Sequence, residues 1–195
     1  MKNIILFMLI VFPTLVFSEE WHVKKSENNL VKFTSSTALL DFDGITSDID
    51  GYIFWEGSEL FGKNNELYFE VNLNSVETGI GKRDRDMRED VLETDKWPKA
   101  SYMGNISKFV KIESDSNQYL VLVMGKMFIH GHEKEIEIEA NINIDDEGMN
   151  VSVYYSVFLK DYEIEAPSLL AFIKVAEEIK LHLNFRLSKI VENEN

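Results

Sequence analysis

The sequence predicts an all-β fold, an antiparallel barrel of about eight strands with one or two short helices. Three segments carry that expectation. Leu67, Phe69, Val71 and Leu73 alternate with Tyr68, Glu70, Asn72 and Asn74. Ile136, Ile138, Ala140, Ile142 and Ile144 alternate with Glu135, Glu137, Glu139, Asn141 and Asn143. Ile179, Leu181, Leu183, Phe185 and Leu187 alternate with Lys180, His182, Asn184, Arg186 and Ser188. Successive strand side chains point to opposite faces, so each segment has one apolar face and one wet face, the mark of a half-buried antiparallel strand.

Weaker segments at 30–35, roughly 38–56, 99–109, 119–129 and 151–159 complete the set. Turn residues divide them: Lys63-Asn64-Asn65, Ser114-Asp115-Ser116-Asn117 and Asp145-Asp146-Glu147-Gly148. The last lies between two alternating runs and predicts a hairpin. Charged residues from Arg83 to Leu92 carry Met87, Val91 and Leu92 on one helical face, which predicts a short helix. Pro167 near a helix start predicts a further helical turn to about Ile173. Apolar faces on this many strands must either stack as a sandwich or close as a barrel, and strands of about nine or ten residues favour the barrel. The pattern does not distinguish a filled barrel from a hollow one.

The N-terminus predicts export. Met1-Lys2-Asn3 gives a positive start, an apolar run follows from Ile4 to Phe17, and Val16-Phe17-Ser18 precedes Glu19-Glu20. That run is short for a bilayer span, so residues 1–18 read as a cleaved signal peptide and 19–195 as one domain, periplasmic or secreted. The chain has 20 basic and 34 acidic residues, a net charge of -14, and no basic patch to displace counterions from phosphates. Nucleic acid is therefore not an expected partner. With no cysteine there is no disulfide, thiol nucleophile or Cys-ligated metal.

Chemical motifs are sparse. Gly57-Ser58-Glu59-Leu60-Phe61-Gly62-Lys63-Asn64 nearly has phosphate-loop spacing, but Asn64 stands where a magnesium-binding hydroxyl is needed, and strands flank it on both sides. His130-Gly131-His132 presents two imidazoles without a nearby third ligand, so a turn is the better reading. The carboxylates of 84–95 sit among Arg83, Arg85 and Arg88, which would hold their pKa values down rather than raise them for acid catalysis. No catalytic residue, metal site or cofactor is expected.

A set of short motifs, in order along the mature chain, resembles the YceI-like family of polyisoprenoid-binding periplasmic proteins. They are Trp21-His22-Val23, Phe42-Asp43-Gly44, Ser75-Val76-Glu77-Thr78, Arg83-Asp84, Met87-Arg88, Leu92-Glu93-Thr94, Trp97-Pro98, Gly125 through Ile129-His130-Gly131, and Asp161-Tyr162-Glu163-Ile164. The resemblance implies a lipocalin-like eight-stranded barrel whose apolar tunnel binds a polyprenyl chain, an isoprenoid quinone or a fatty-acid derivative. It also implies a homodimer, transient contact with a membrane or lipid acceptor, and no catalysis. It places Arg83, Asp84 and Arg88 at the tunnel mouth with Met87 and Leu92 beside them, and makes Trp97 a lid or wall. Three departures stand out. Leu159 occupies a family arginine position and Glu163 a family glycine position, and Asp86 replaces a histidine. The lost arginine and the change from histidine to Asp86 favour a neutral or amide-headed lipid over a pyrophosphate.

The residues expected to line the tunnel are Phe69, Val71, Leu73, Tyr102, Ile138, Ile142, Leu181, Leu183 and Phe185, with the mouth residues already named. A slip of one residue in strand register would reverse each list. The competing reading is an interaction protein with a filled barrel as scaffold, using outward Tyr68, Tyr154 and Phe158. A lipid hydrolase or isomerase would need an inward acid, for which Asp84 is the one candidate.

Overall fold

The computed structural model describes residues 17–114, 116–170 and 173–190, so residues 1–16 of the expected leader lie outside the described residues. The first strands are β1 (Ser18–Val23), β2 (Leu30–Ser36), β3 (Asp41–Thr46), β4 (Ile49–Glu56) and β5 (Lys63–Asn72). A helix, α1 (Gly81–Asp86), runs on as a wider π-type turn over Met87–Val91. Then follow β6 (Lys99–Lys111), β7 (Gln118–Ile129), β8 (His132–Asp145), β9 (Gly148–Phe158), β10 (Ser168–Leu170), β11 (Ile173–Lys174) and β12 (Glu178–Lys189).

The strands close into an antiparallel barrel of eight staves. Its order is β1-β4-β5-β6-β7-β8-β9-β12, and β12 pairs back onto β1. One stave is made of β1 and β2 together. Trp21–Val23 pair with Lys189–Leu187, and Leu30–Thr34 pair with Asn184–Lys180 of the same β12. The interruption between them is tied by Asn29, buried, whose amide donates to the Lys24 carbonyl at 3.0 Å and accepts from the Arg186 amide at 3.4 Å. β3 and β4 form the next stave the same way, against β2 and β1. At Gly51, φ is 145° and a Cβ would stand 2.1 Å from the Tyr68 carbonyl oxygen, so β4 can lie this close to β5 only because no side chain is present.

The three strong alternations face as their periods require, and the apolar phases of β5, β8 and β12 all join the interior cluster. Turn chemistry is equally local. His130 and Gly131 connect β7 to β8 with φ of 51° and 81°, the pair of positive angles a two-residue hairpin needs. Asp146-Glu147 joins β8 to β9.

Three expectations are corrected. The residues from Pro167 form the small β10–β11 hairpin rather than a helical turn, although residues 171–172 lie outside the described residues. Val175 donates to the Pro167 carbonyl at 2.9 Å and bridges to Thr37, and this tertiary pairing overrides the local proline signal. Lys63-Asn64-Asn65 is not the turn between β4 and β5; the chain reverses at 57–62 and β5 has already begun. Asn65 is polar because it bridges strands, its amide donating to the Ile106 carbonyl at 3.2 Å and its oxygen accepting from the Ile106 amide at 2.6 Å. Finally, 38–56 is two strands, broken where Thr46 Oγ1 accepts from the Asp48 amide at 3.0 Å.

Candidate functional site

The staves differ in what they place at the two ends of the barrel. At the end where β4 leads into β5, Trp55 packs against Trp21 at 6.4 Å and Phe61 at 5.5 Å between ring centroids. Phe61 in turn meets Phe109 at 5.3 Å and Tyr119 at 6.3 Å. Met149, Leu187 and Val121 are fully buried. Aromatic rings bring large contact areas, and this end is plugged.

Above the plug the inward side chains are mostly aliphatic, and they enclose a cavity of about 770 Å³. That volume falls within the range of about 300–1,000 Å³ that holds a whole small ligand. Its walls include Phe69, Val71, Ile138, Ile142, Leu181, Leu183 and Phe185. Among the described residues, the charged side chains that reach it lie at the opposite end: Lys82, Arg83, Asp86 and Asp90, all from α1 and the turn after it. Leu40 and Ile80, more than half exposed, also line it there, so this end opens to solvent.

The mouth charges are already engaged. Lys82 pairs with Asp86. Arg83 donates through Nε to Thr78 Oγ1 and through Nη2 to the Thr78 carbonyl, each at 2.8 Å, and its guanidinium lies 4.6 Å from the Phe42 ring centroid. Asp84 accepts from the Thr78 amide at 2.8 Å and from the Thr78 hydroxyl. These bonds from Thr78, with Arg88 and Arg83 near, hold its carboxyl below the ordinary carboxylate range even though burial opposes it.

Within the cavity, polar groups are few. Tyr102 lies over Gly125, where a Cβ would stand 2.9 Å from its Cζ, and its hydroxyl donates to the carbonyls of Val123 at 3.2 Å and Ile136 at 3.4 Å. Burial, and then the neighbouring Tyr155, push its phenol far up. Tyr162, at the barrel wall, is pushed up to about 12, again by burial first and Tyr155 second. Ser35 lines the cavity with its residue 2% exposed and its hydroxyl without a partner. An orphaned buried hydroxyl costs about 1–3 kcal/mol.

A blind apolar tunnel, open beside a short helix that follows the long strand β5, can be compared with known folds. A model of the YceI-like domain matches residues 21–187. The chain belongs to the YceI-like family. Among solved structures, Burkholderia cenocepacia BcnA is similar with a TM-score of 0.67 and 12% identity, over 85% of this chain and 99% of that one. A polyisoprenoid binding domain from Saccharophagus degradans, implicated in plant cell wall breakdown, is similar at 0.66 and 16%, over 87% and 98%. The Campylobacter jejuni YceI protein follows at 0.56 and 18%, over 76% and 85%. At such identities the likeness is one of fold. A comparison with curated protein sequences finds no match.

In this YceI-like barrel, Phe69, Val71, Leu73, Arg83, Met87, Leu92, Tyr102, Ile138, Ile142, Leu181, Leu183 and Phe185 line the cavity. Asp84, Arg88 and Trp97 do not. Asp84 is spent on Thr78, which also removes it as an inward acid. Arg88 donates to the carbonyls of Val76 at 3.3 Å and Asn74 at 3.4 Å, pinning the helix to the strand before it. Trp97 packs against the β7–β8 turn, where a Cβ on Gly131 would stand 2.6 Å from its ring, and against Phe128 at 6.0 Å. It braces that turn rather than covering the mouth.

His130 serves the same brace, with Nε2 3.1 Å from Glu93 Oε2 and Nδ1 3.3 Å from the Tyr162 carbonyl. Among the described residues no group of three His, Cys, Asp or Glu side chains converges for a metal. At the family glycine position Glu163 has φ of 54°, the left-handed conformation that glycine adopts without cost. Leu159 is buried against the cavity where the family carries arginine.

Sequence reading missed Phe33, Phe42, Ser35 and Tyr155, all of which line the cavity. The signal was present. Val31, Phe33 and Ser35 share one phase of β2, and Val151, Val153, Tyr155 and Val157 one phase of β9.

Proposed function

We propose that this protein binds the apolar chain of an amphipathic lipid in the barrel interior and stores or carries it without chemical change. The ligand class is a polyisoprenoid, an isoprenoid quinone or a fatty-acid derivative. The observation that carries the reading is the 770 Å³ cavity, walled by aliphatic and aromatic side chains and open beside α1. Each buried CH₂ is worth about 0.8 kcal/mol against an association cost of about 4–15 kcal/mol, so only a long chain is held well. The cavity also argues against a filled barrel serving purely as a scaffold.

Residues 1–18 act as an export signal, and the domain from 19 onward works in the periplasm or outside the cell. Exposed Leu39, Leu40 and Ile80 near the mouth are suited to brief contact with a membrane or a lipid acceptor. Two copies form the working unit. Native mass spectrometry of the exported protein, followed by solvent extraction, tests these points together. A retained lipid mass and a dimer mass are expected. An empty barrel that stays empty after incubation with isoprenoid and acyl lipids would sink the carrier reading.

A further inference from the structure

We propose that Ser35 and Tyr155 form a hydrogen-bond subsite just inside the mouth for an uncharged acceptor oxygen of the bound lipid: a ketone, quinone, ester or amide carbonyl. The inference rests on the lipid-binding reading and narrows its ligand class.

Register places the two hydroxyls. Ser35 belongs to the last turn-ward pairs of β2, opposite Phe42 of β3. One inward step deeper, Phe33 pairs with Leu181, and Leu181 pairs on its other side with Tyr155. Ser35 and Tyr155 therefore stand on adjacent layers of one wall, separated by β12. Both face the cavity. Ser35 is buried with its Oγ unpartnered, and the side chains around it (Phe33, Phe42 and Ile179) offer no acceptor. Tyr155 is close enough to raise the phenols of both Tyr102 and Tyr162, yet Tyr102 is committed to backbone carbonyls. Trp21 Nε1, Trp55 Nε1 and Arg186 Nε are also buried without a partner, but among the four Ser35 alone belongs to a residue that lines the cavity, where a ligand atom can supply the missing bond.

The charge pattern selects the kind of atom. A phosphate or carboxylate head would need free cations, and the two mouth cations that line the cavity are bound to Asp86 and Thr78. Asp86 and Asp90 line the same opening and repel an anion. Neutral hydroxyl donors in a low-dielectric wall instead match a neutral acceptor, since a site built to donate discriminates against an analogue that lacks the acceptor. The head then sits one or two layers inside the mouth, with its chain directed to the aromatic plug.

The test uses delipidated protein and three ligands of equal chain length: a decyl-substituted benzoquinone, decylbenzene and decyl phosphate, measured by calorimetry. In wild type the quinone should bind best. Tyr155→Phe and Ser35→Ala should each weaken quinone binding, and the double variant by about tenfold, equivalent to 1.4 kcal/mol. Decylbenzene affinity should not change in any variant, and Ser35→Thr should retain the quinone preference. Equal quinone affinity in wild type and double variant, with decylbenzene still bound, would overturn the subsite and leave the lipid-binding reading intact. Preference for decyl phosphate would overturn the neutral-head assignment. Failure of all three ligands to bind wild type would overturn both the subsite and the reading beneath it.

Discussion

The closed and open ends of this barrel are built from the same alternating strands, yet one is packed with rings and the other is held by polar bonds. At the closed end Trp21, Trp55, Phe61, Phe109 and Tyr119 meet within 5.3–6.4 Å along the chain of contacts. At the mouth, α1 and the turn after it are anchored by Thr78, Arg83, Asp84 and Arg88 through bonds to backbone and hydroxyl groups. The difference teaches how a small barrel becomes hollow. Aromatic volume seals one end, while a polar latch borders the other without filling it.

The largest expected effect breaks the plug. Trp55→Ala removes a ring 2% exposed and should cost about 3–5 kcal/mol, read as a lower midpoint in urea unfolding. A loss below 1 kcal/mol would mean the closed end is not where stability resides. Midway along the tunnel the expectation reverses. Leu183→Glu or Phe69→Glu should abolish lipid retention in extraction assays while export and far-UV circular dichroism persist, because the new carboxylate faces a cavity rather than a packed core. Undiminished lipid in both variants would contradict the inward register.

How much of this was legible beforehand divides along the same line. Strand faces were readable because a period of two assigns every inward residue once one phase is apolar, so Ile179 through Leu187 identified a wall of the barrel. The hollow was not, because it depends on side-chain volumes summed across eight staves. Motif charges misled for a different reason. Asp84 and Arg88 look like ligand contacts in the sequence, but their partners are Thr78 and two backbone carbonyls, which no spacing rule exposes. Trp97 looked like a lid or wall residue because its brace, Gly131, lies in the distant β7–β8 turn. Ser35 and Tyr155 were passed over as ordinary polar residues, although each stands in an apolar phase.

The latch gives a prediction of intermediate size. Asp84 has a folded carboxyl pKa below its unfolded one, set first by the Thr78 hydroxyl bond. Its stabilising contribution is therefore complete at neutral pH, where the group is ionised in both states. It fades as pH falls below the unfolded value toward the lowered folded one. Asp84→Asn should make the protein less stable at pH 7 and flatten the acid limb of its stability profile, with the plug unaffected. An acid limb as steep in the variant as in wild type would show that other carboxylates govern it.

The smallest effect compares one backbone conformation at the two ends. Phe61 at the plug and Glu163 near the mouth both have positive φ, 51° and 54°. Left-handed backbone costs an ordinary residue about 1–2 kcal/mol, and glycine returns about 0.5–1 kcal/mol of that through its freer unfolded chain. Glu163 is exposed, and the His132 ring 3.7 Å away is a surface contact of little worth. Glu163→Gly should therefore gain about 0.5–1 kcal/mol, a rise of a few degrees in melting temperature for a chain of this size. Phe61→Gly relieves the same strain but removes a ring that touches Trp55, Phe109 and Tyr119, so it should lose about 3–5 kcal/mol of packing and melt earlier. Opposite signs from one substitution type would show that packing, not backbone strain, separates the two ends. If both variants shifted the same way, the plug and the mouth would have to be treated as one continuous core.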